Sequence, residues 1–305
     1  MVVNVLLGLI VILSTYFLVF YVRDMWRHRH NLGKGKTPVA MGIGFIVDFL
    51  DVFGIGSFAT TTMLLNATKQ LSHDRLLPGT LNAAFAIPVA IEAFIFISAV
   101  NVEPITLFSL IFAAVAGAAI GGRIVPRLPE QKVQLGLGIA LLITAVLMIG
   151  KQAGLIAFLS SGNTAIGLVG WKLGAAVAMN FIFGALMTIG CGLYAPCMVM
   201  VFLLGLNPTV AFPVMMGSCA ALMPVAAKEF VVAGDYARKV SLCLMTAGIV
   251  AVLIATNLVV QMDLSVLTMV ITVVVLYTGI MYVRRGMRGL QPVKHDDTVH
   301  VVAGK

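Results

Sequence analysis

Residues 45–65 read FIVDFLDVFGIGSFATTTMLL. The stretch is apolar enough to lie in lipid. Yet it holds Asp48 and Asp51, a Gly54-Ile-Gly56 break, and four hydroxyl residues behind the break, Ser57, Thr60, Thr61 and Thr62. Irregular backbone at membrane depth is tolerated only where protein covers it or where it lines a wet cavity. The surroundings of this broken element therefore decide the fold.

Composition places the element in a membrane. The chain has 305 residues, of which 60% are hydrophobic and 10% charged, with a mean hydropathy of +1.06. A soluble domain carries about 25% charged residues. The excess apolar length exceeds what a soluble core hides, and the fold class is an all-α polytopic membrane protein. The net charge of +8 falls in short basic runs between apolar spans, which is a pattern of membrane orientation and not of nucleic-acid binding. Residues 2–22 are continuously apolar, lack a basic leader and a small-residue cleavage site, and precede a basic stop, so they read as a retained helix. Cys191, Cys197, Cys219 and Cys243 lie in apolar segments without metal-ligand spacing and imply no disulfide framework.

Apolar segments fall near residues 2–22, 39–65, 76–100, 103–122, 132–150, 173–204, 209–232, 239–258 and 264–283. The connections sort by charge. Basic residues between 23 and 36, then Lys69 and Arg75, Arg123 to Lys132, Lys228 to Lys239, and the tail from Arg284 mark cytoplasmic loops. The stretches at Glu103, 205–209 and Asp263 read as external. Both flanks of 39–65 are then cytoplasmic and both flanks of 173–204 external, so neither segment crosses once. Two re-entrant hairpins and about seven spans resolve this, with the N-terminus outside and the C-terminus inside. Each arm of the first hairpin, at about 1.5 Å per residue, reaches roughly the middle of a 30 Å hydrocarbon core.

The second hairpin contains FIFGALMTIGCGLYAPCMVMV from Phe181. A single ungapped shift of 136 pairs Gly54 with Gly190 and Gly56 with Gly192. The same register pairs Phe45 with Phe181, Ala59 with Ala195, and Pro88-Val89-Ala90 with Pro224-Val225-Ala226. Each copy holds one hairpin and three spans. Three is odd, so the second copy is inverted relative to the first, an architecture that transporters use with their site near the midplane. The chain then divides into an N-terminal helix (1–22), a first repeat (39–150), a second, inverted repeat (173–284) and a cytoplasmic tail (285–305).

At these residues the sequence resembles the TauE/SafE sulfite exporter family (TSUP). The resemblance rests on Gly54-Ile-Gly56 and Gly190-Cys-Gly192, each followed by a Pro-interrupted helix of small residues, and on Gly121-Gly122-Arg123 with Arg127-Leu128-Pro129. It spans most of residues 40–285 and implies a bacterial inner-membrane carrier, by family habit an exporter, of small sulfur-containing or organic anions such as sulfite, sulfonates or sulfoacetate. The glycine run is shorter here than in many members.

The residues carry a compatible chemistry of their own. Behind each glycine pair a half-helix begins, with unpaired N–H groups and the positive end of its dipole facing the break, and such ends bind oxyanions. Ser57 reads as the N-cap of the first, with Thr60 and Thr61 close behind; Tyr194 and Cys197 belong to the second, with Pro196 in its first turn. Asn82 and its repeat mate Ser218 lie on the following helices. Gly54, Gly56, Ser57, Thr60, Thr61, Asn82, Gly190, Gly192, Tyr194, Cys197 and Ser218 are thus the candidate anion-binding residues. Against this, small and hydroxyl residues also let helices pack closely in lipid. Asp48 and Asp51 are candidates for carrying a coupling proton, or else line a hydrated vestibule. Glu92, paired by the repeat with Lys228, reads as snorkelling toward water. No cofactor or metal is called for. A channel of the same fold, or a thiosulfate-type uptake carrier using Cys191, Cys197 and Cys219, is the alternative. An enzyme fits poorly, because all five histidines lie in loops or tails and no GxxxxGK[ST] loop exists.

Overall fold

A computed structural model describes residues 2–124, 130–152, 164–187 and 193–290. Among these it contains eleven α-helices and no strand: α1 (Val2–Arg27), α2 (Thr37–Asp51), α3 (Ser57–Ala67), α4 (Leu77–Ala99), α5 (Pro104–Ile124), α6 (Glu130–Gln152), α7 (Gly170–Met187), α8 (Tyr194–Leu203), α9 (Ala211–Ala233), α10 (Arg238–Val260) and α11 (Leu264–Leu290). Six of them, α1, α4, α7, α9, α10 and α11, are long and apolar enough to cross a membrane. The chain is a polytopic helical membrane protein.

Glycine and proline set the boundaries. Pro38 and Pro78 sit in the first turns of α2 and α4, where a missing N–H costs nothing. Gly234, at φ +74°, closes α9 in the left-handed conformation. Between α2 and α3 the chain turns at Gly54 (φ +90°) and Gly56 (φ +86°), values that a side chain strongly disfavours. A Cβ on Gly54 would collide with Cε of Met198 on α8, so the first break is pressed directly against the second half-helix.

The 136-residue register persists in three dimensions. It carries α2 onto α7, α3 onto α8, α4 onto α9, α5 onto α10 and α6 onto α11, with boundaries agreeing to within three residues. The packing obeys the same exchange. α4 lies against α9, and α6 against α11, each pair formed by equivalent helices. The α2–α10 pair answers the α7–α5 pair, and α10–α4 answers α5–α9. The flanking pairs approach closely at glycines. A Cβ on Gly44 would lie 2.6 Å from the Leu244 carbonyl oxygen, and one on Gly184 or Gly117 would meet the backbone of the facing helix. Small residues of this kind are how helices pack in lipid, where apolar contact alone gives little drive to associate.

Both hairpins return to the side they start from. The Lys36 N–H donates to Oε1 of Gln70 at 2.8 Å, joining the residues before α2 to those after α3. Ala165, ahead of α7, forms a bridge with Leu206, just beyond α8. The first junction shares its end of the molecule with the start of α10, where the Lys239 N–H donates to the Leu32 carbonyl at 3.1 Å. The second shares its end with the start of α5, where the Glu103 N–H donates to the Ile166 carbonyl at 2.8 Å. Residues 164–169 thus cover the α5 end, and residues 153–163 fall outside the described residues.

Candidate functional site

The first break and the start of α8 border a small cavity of about 40 Å³. Its walls include Gly56 and Ser57 from the first hairpin, Tyr194 from the second, Asp51 from α2 and Cys219 from α9. Gly56 has no atom within 4 Å of where a Cβ would stand, so that face of the break is open. A cavity of this size holds a few waters at most.

The start of α3 corrects one expectation. The N-cap is Gly56 and not Ser57, which is the first helical residue and is buried. A cap needs an extended or unusual backbone, and Gly56 supplies it at φ +86° while Ser57 has already turned into the helix. Leu193 likewise caps α8, with Tyr194 first and Pro196 third in the helix. Neither cap residue contributes a side-chain hydrogen bond, so the first-turn N–H groups of both half-helices are left to other partners. The amides of Gly56 and Ser57 and the hydroxyls of Ser57 and Tyr194 face the Asp51 carboxyl, yet none closes to a hydrogen bond.

Beyond the cavity lies a vestibule of about 790 Å³. Phe58, Met187 and Met223 line both spaces and so form the partition between them. The vestibule also takes in Thr62, Asn82, Glu229 and Arg285, at the end of the molecule where α4 begins and α9 and α11 finish. Arg285 donates to the Ala59 carbonyl at 3.5 Å, which draws a guanidinium into the vestibule wall. Read in sequence, Arg285 is only a basic residue at the end of a span.

The other candidates scatter. Thr60 and Thr62 donate back to the carbonyls of Gly56 and Phe58 within their own helix. Thr61 is fully buried and its hydroxyl has no partner. Asn82 faces the vestibule and donates to Pro78 at 2.9 Å. Ser218 donates to Val214 at 2.7 Å and accepts from Asn180, whose amide also reaches Leu110 on α5, so it belongs to helix-to-helix bonding instead of the cavity. Cys197 is fully buried in α8, while Cys219 borders the cavity and meets Sδ of Met187 at 3.8 Å. Gly190, Cys191 and Gly192 fall outside the described residues.

Asp48 and Asp51, 0% and 1% exposed, do not line a hydrated vestibule. Glu92 does not snorkel; it is 0% exposed and turned inward from α4. One oxygen from each of the three carboxyls lies within 4.8 Å of the other two. Glu92 is seven residues from the end of α4, far enough from the surface for the inward face to capture it. Its repeat mate Lys228 instead lies over the Phe20 ring and pairs with Glu229 at 2.8 Å, so the repeat does not conserve this role.

A polytopic helical membrane protein that brings a broken helix and the start of a second half-helix to one internal cavity has the build of a transporter. The family model for the sulfite exporter TauE/SafE matches residues 1–148, the first copy of the repeat with the helix before it. That is the family which the two glycine breaks suggest, and it is a family of membrane transporters. Neither the curated proteins nor the solved structures give a match to the chain.

Proposed function

We propose that this protein is a secondary carrier of small sulfur-containing or organic anions, of the sulfite and sulfonate type, working in a bacterial inner membrane as an exporter. The observation that carries the reading is the small cavity bounded by the starts of both half-helices. Its donors are backbone N–H groups at Gly56 and Ser57 and the hydroxyls of Ser57 and Tyr194. Partial charges of this kind hold an oxyanion without the tight grip of a fixed lysine, and so also release it.

The two copies then work as an inverted repeat, one hairpin entering from each side, with the N-terminus outside and the C-terminus inside. In this conformation the vestibule opens toward the basic loops, the cytoplasmic side, with Arg285 drawing anions in. Phe58, Met187 and Met223 hold the cavity shut until the copies move. A closed partition favours alternating access over a permanently open channel. The family match supports transport, and no step here needs covalent chemistry.

Proteoliposomes test the reading. Labelled sulfite uptake accelerated by unlabelled sulfite inside marks a carrier; uptake indifferent to internal sulfite marks a channel. Gly56→Ala, which forces a side chain onto a φ of +86° at the cavity wall, is expected to cut flux at least tenfold with the protein still folded. Full counterflow in this variant rejects the cavity as the binding site.

A further inference from the structure

The carboxyls of Asp48, Asp51 and Glu92 form a cluster that the anion-binding donors do not explain. All six of their oxygens are buried and none has a hydrogen-bond partner. Carboxyls in this state are costly unless something neutralises them. Among the described residues no lysine, arginine or histidine neutralises them; the titratable side chains that bear on the cluster from neighbouring helices are Tyr194 on α8 and Cys219 on α9. From α10 the cluster is faced by Gly248, where a Cβ would strike the Asp48 carboxyl oxygen, so that helix leaves room for the acid and offers no charge. Two independent facts therefore coincide: the groups converge, and every one of their oxygens lacks a partner.

The geometry gives the missing partner a size. Three oxygens within 4.8 Å of one another share a centre no more than about 2.8 Å from each, close to the 2.3–2.6 Å at which hard cations meet oxygen. An all-oxygen, all-anionic donor set selects a hard cation over a soft one. We propose that Asp48, Asp51 and Glu92 bind a group 1 or group 2 metal cation inside the membrane, beside the anion cavity.

The position of Asp51 links the cation to transport, and this part rests on the carrier reading above. Asp51 belongs both to the cluster and to the cavity wall, facing the same Gly56, Ser57 and Tyr194 donors that an incoming anion needs. With the cluster empty, Asp51 repels that anion and competes for its donors. A cation held among the three carboxyls offsets the charge of Asp51 and turns it away from the half-helix. Cation and anion then bind with positive coupling, each raising the affinity for the other by the same factor.

Thermal unfolding of the purified full-length protein tests the site with no transported anion present. Choline chloride is compared with NaCl, KCl and CaCl2 at one ionic strength. At about ten times its dissociation constant, the preferred cation is expected to raise Tm by roughly 2–4 °C over choline. Asp48→Asn and Glu92→Gln keep the side-chain shape and remove a charge, so both are expected to fold and to lose the ion-specific rise. The proposal is overturned if no metal salt differs from choline, or if the rise survives in both variants. Stability that follows pH but not metal assigns the cluster to protons and likewise overturns it. Because no sulfite is used, failure here leaves the anion carrier standing. Absence of sulfite counterflow in the preferred salt removes the carrier and leaves the cation site.

Discussion

At the scale of single residues, two glycines two positions apart, Gly54 and Gly56, do different work. Both have positive φ, so alanine at either position costs about 1–2 kcal/mol of backbone strain. Gly56 faces open space, but a Cβ on Gly54 would drive into the end of Met198. Gly54→Ala is therefore expected to lower Tm more than Gly56→Ala, whereas Gly56→Ala is the one that harms flux first. Met198→Ala removes the obstructing methyl, and the double variant Gly54→Ala/Met198→Ala is expected to be more stable than the sum of the single changes by about 1 kcal/mol. Strict additivity means that Gly54 and Met198 do not constrain each other. These glycines were legible in the sequence because a positive-φ turn within an apolar segment leaves few residue choices. Asp48 and Asp51 were legible as charges out of place. Glu92 and Arg285 were not, because whether a charge near a helix end points inward or outward is fixed by the neighbouring helices, which one helix's sequence does not contain.

At the scale of elements, the repeat register accounts for the α4–α9, α6–α11, α2–α10 with α7–α5, and α10–α4 with α5–α9 pairings, but not for α1, which lies outside the repeat and packs on α9 and α4. It missed how the ends are tied. Glu103 shows the reason: the sequence marks it only as the lone charge of an external loop. In the fold it caps α5, accepting from the Thr106 N–H and hydroxyl at 2.6 Å each and from the Ile105 N–H at 3.2 Å. The Thr106 hydroxyl accepts from Leu168 N–H at 2.9 Å and so pins residues 164–169 onto the helix start. Slight desolvation pushes the carboxyl upward, but the Thr106 and Ile105 donors outweigh it and hold Glu103 below the usual carboxylate range. A group depressed on folding contributes stability above its unfolded pKa of about 4.3 and loses it as pH falls through the folded value. Hydrogen exchange at Ile105, Thr106 and Leu168, corrected for intrinsic rate, is expected to quicken below about pH 4. In Glu103→Gln the same amides are expected to exchange faster at neutral pH and to lose the acid response. Unchanged protection in that variant removes the carboxylate from the cap.

At the scale of the whole molecule, function depends on which face each hairpin enters from. α4 runs from the end where Lys36 meets Gln70 to the end where Glu103 meets Ile166. The first hairpin is tied at the former end, and Ala165 with Leu206 ties the second at the latter. If α4 crosses the membrane, as its length and apolarity allow, the two hairpins open to opposite compartments and their breaks meet between. A gate made by one pair of equivalent elements is then matched by its counterpart on the other face, and exchanging their conformations alternates access without unfolding either copy. Ser72 and Thr164 are exposed residues that report on the two faces. Cysteines placed there singly, in a background lacking the four native thiols, are expected to react with an impermeant maleimide from opposite sides: Ser72→Cys in inside-out vesicles and Thr164→Cys in intact cells. Labelling of both positions from one side places the hairpins on the same face. The two half-helix starts could then not confront each other across one cavity, and neither the anion site nor the coupling through Asp51 would survive in the form argued above.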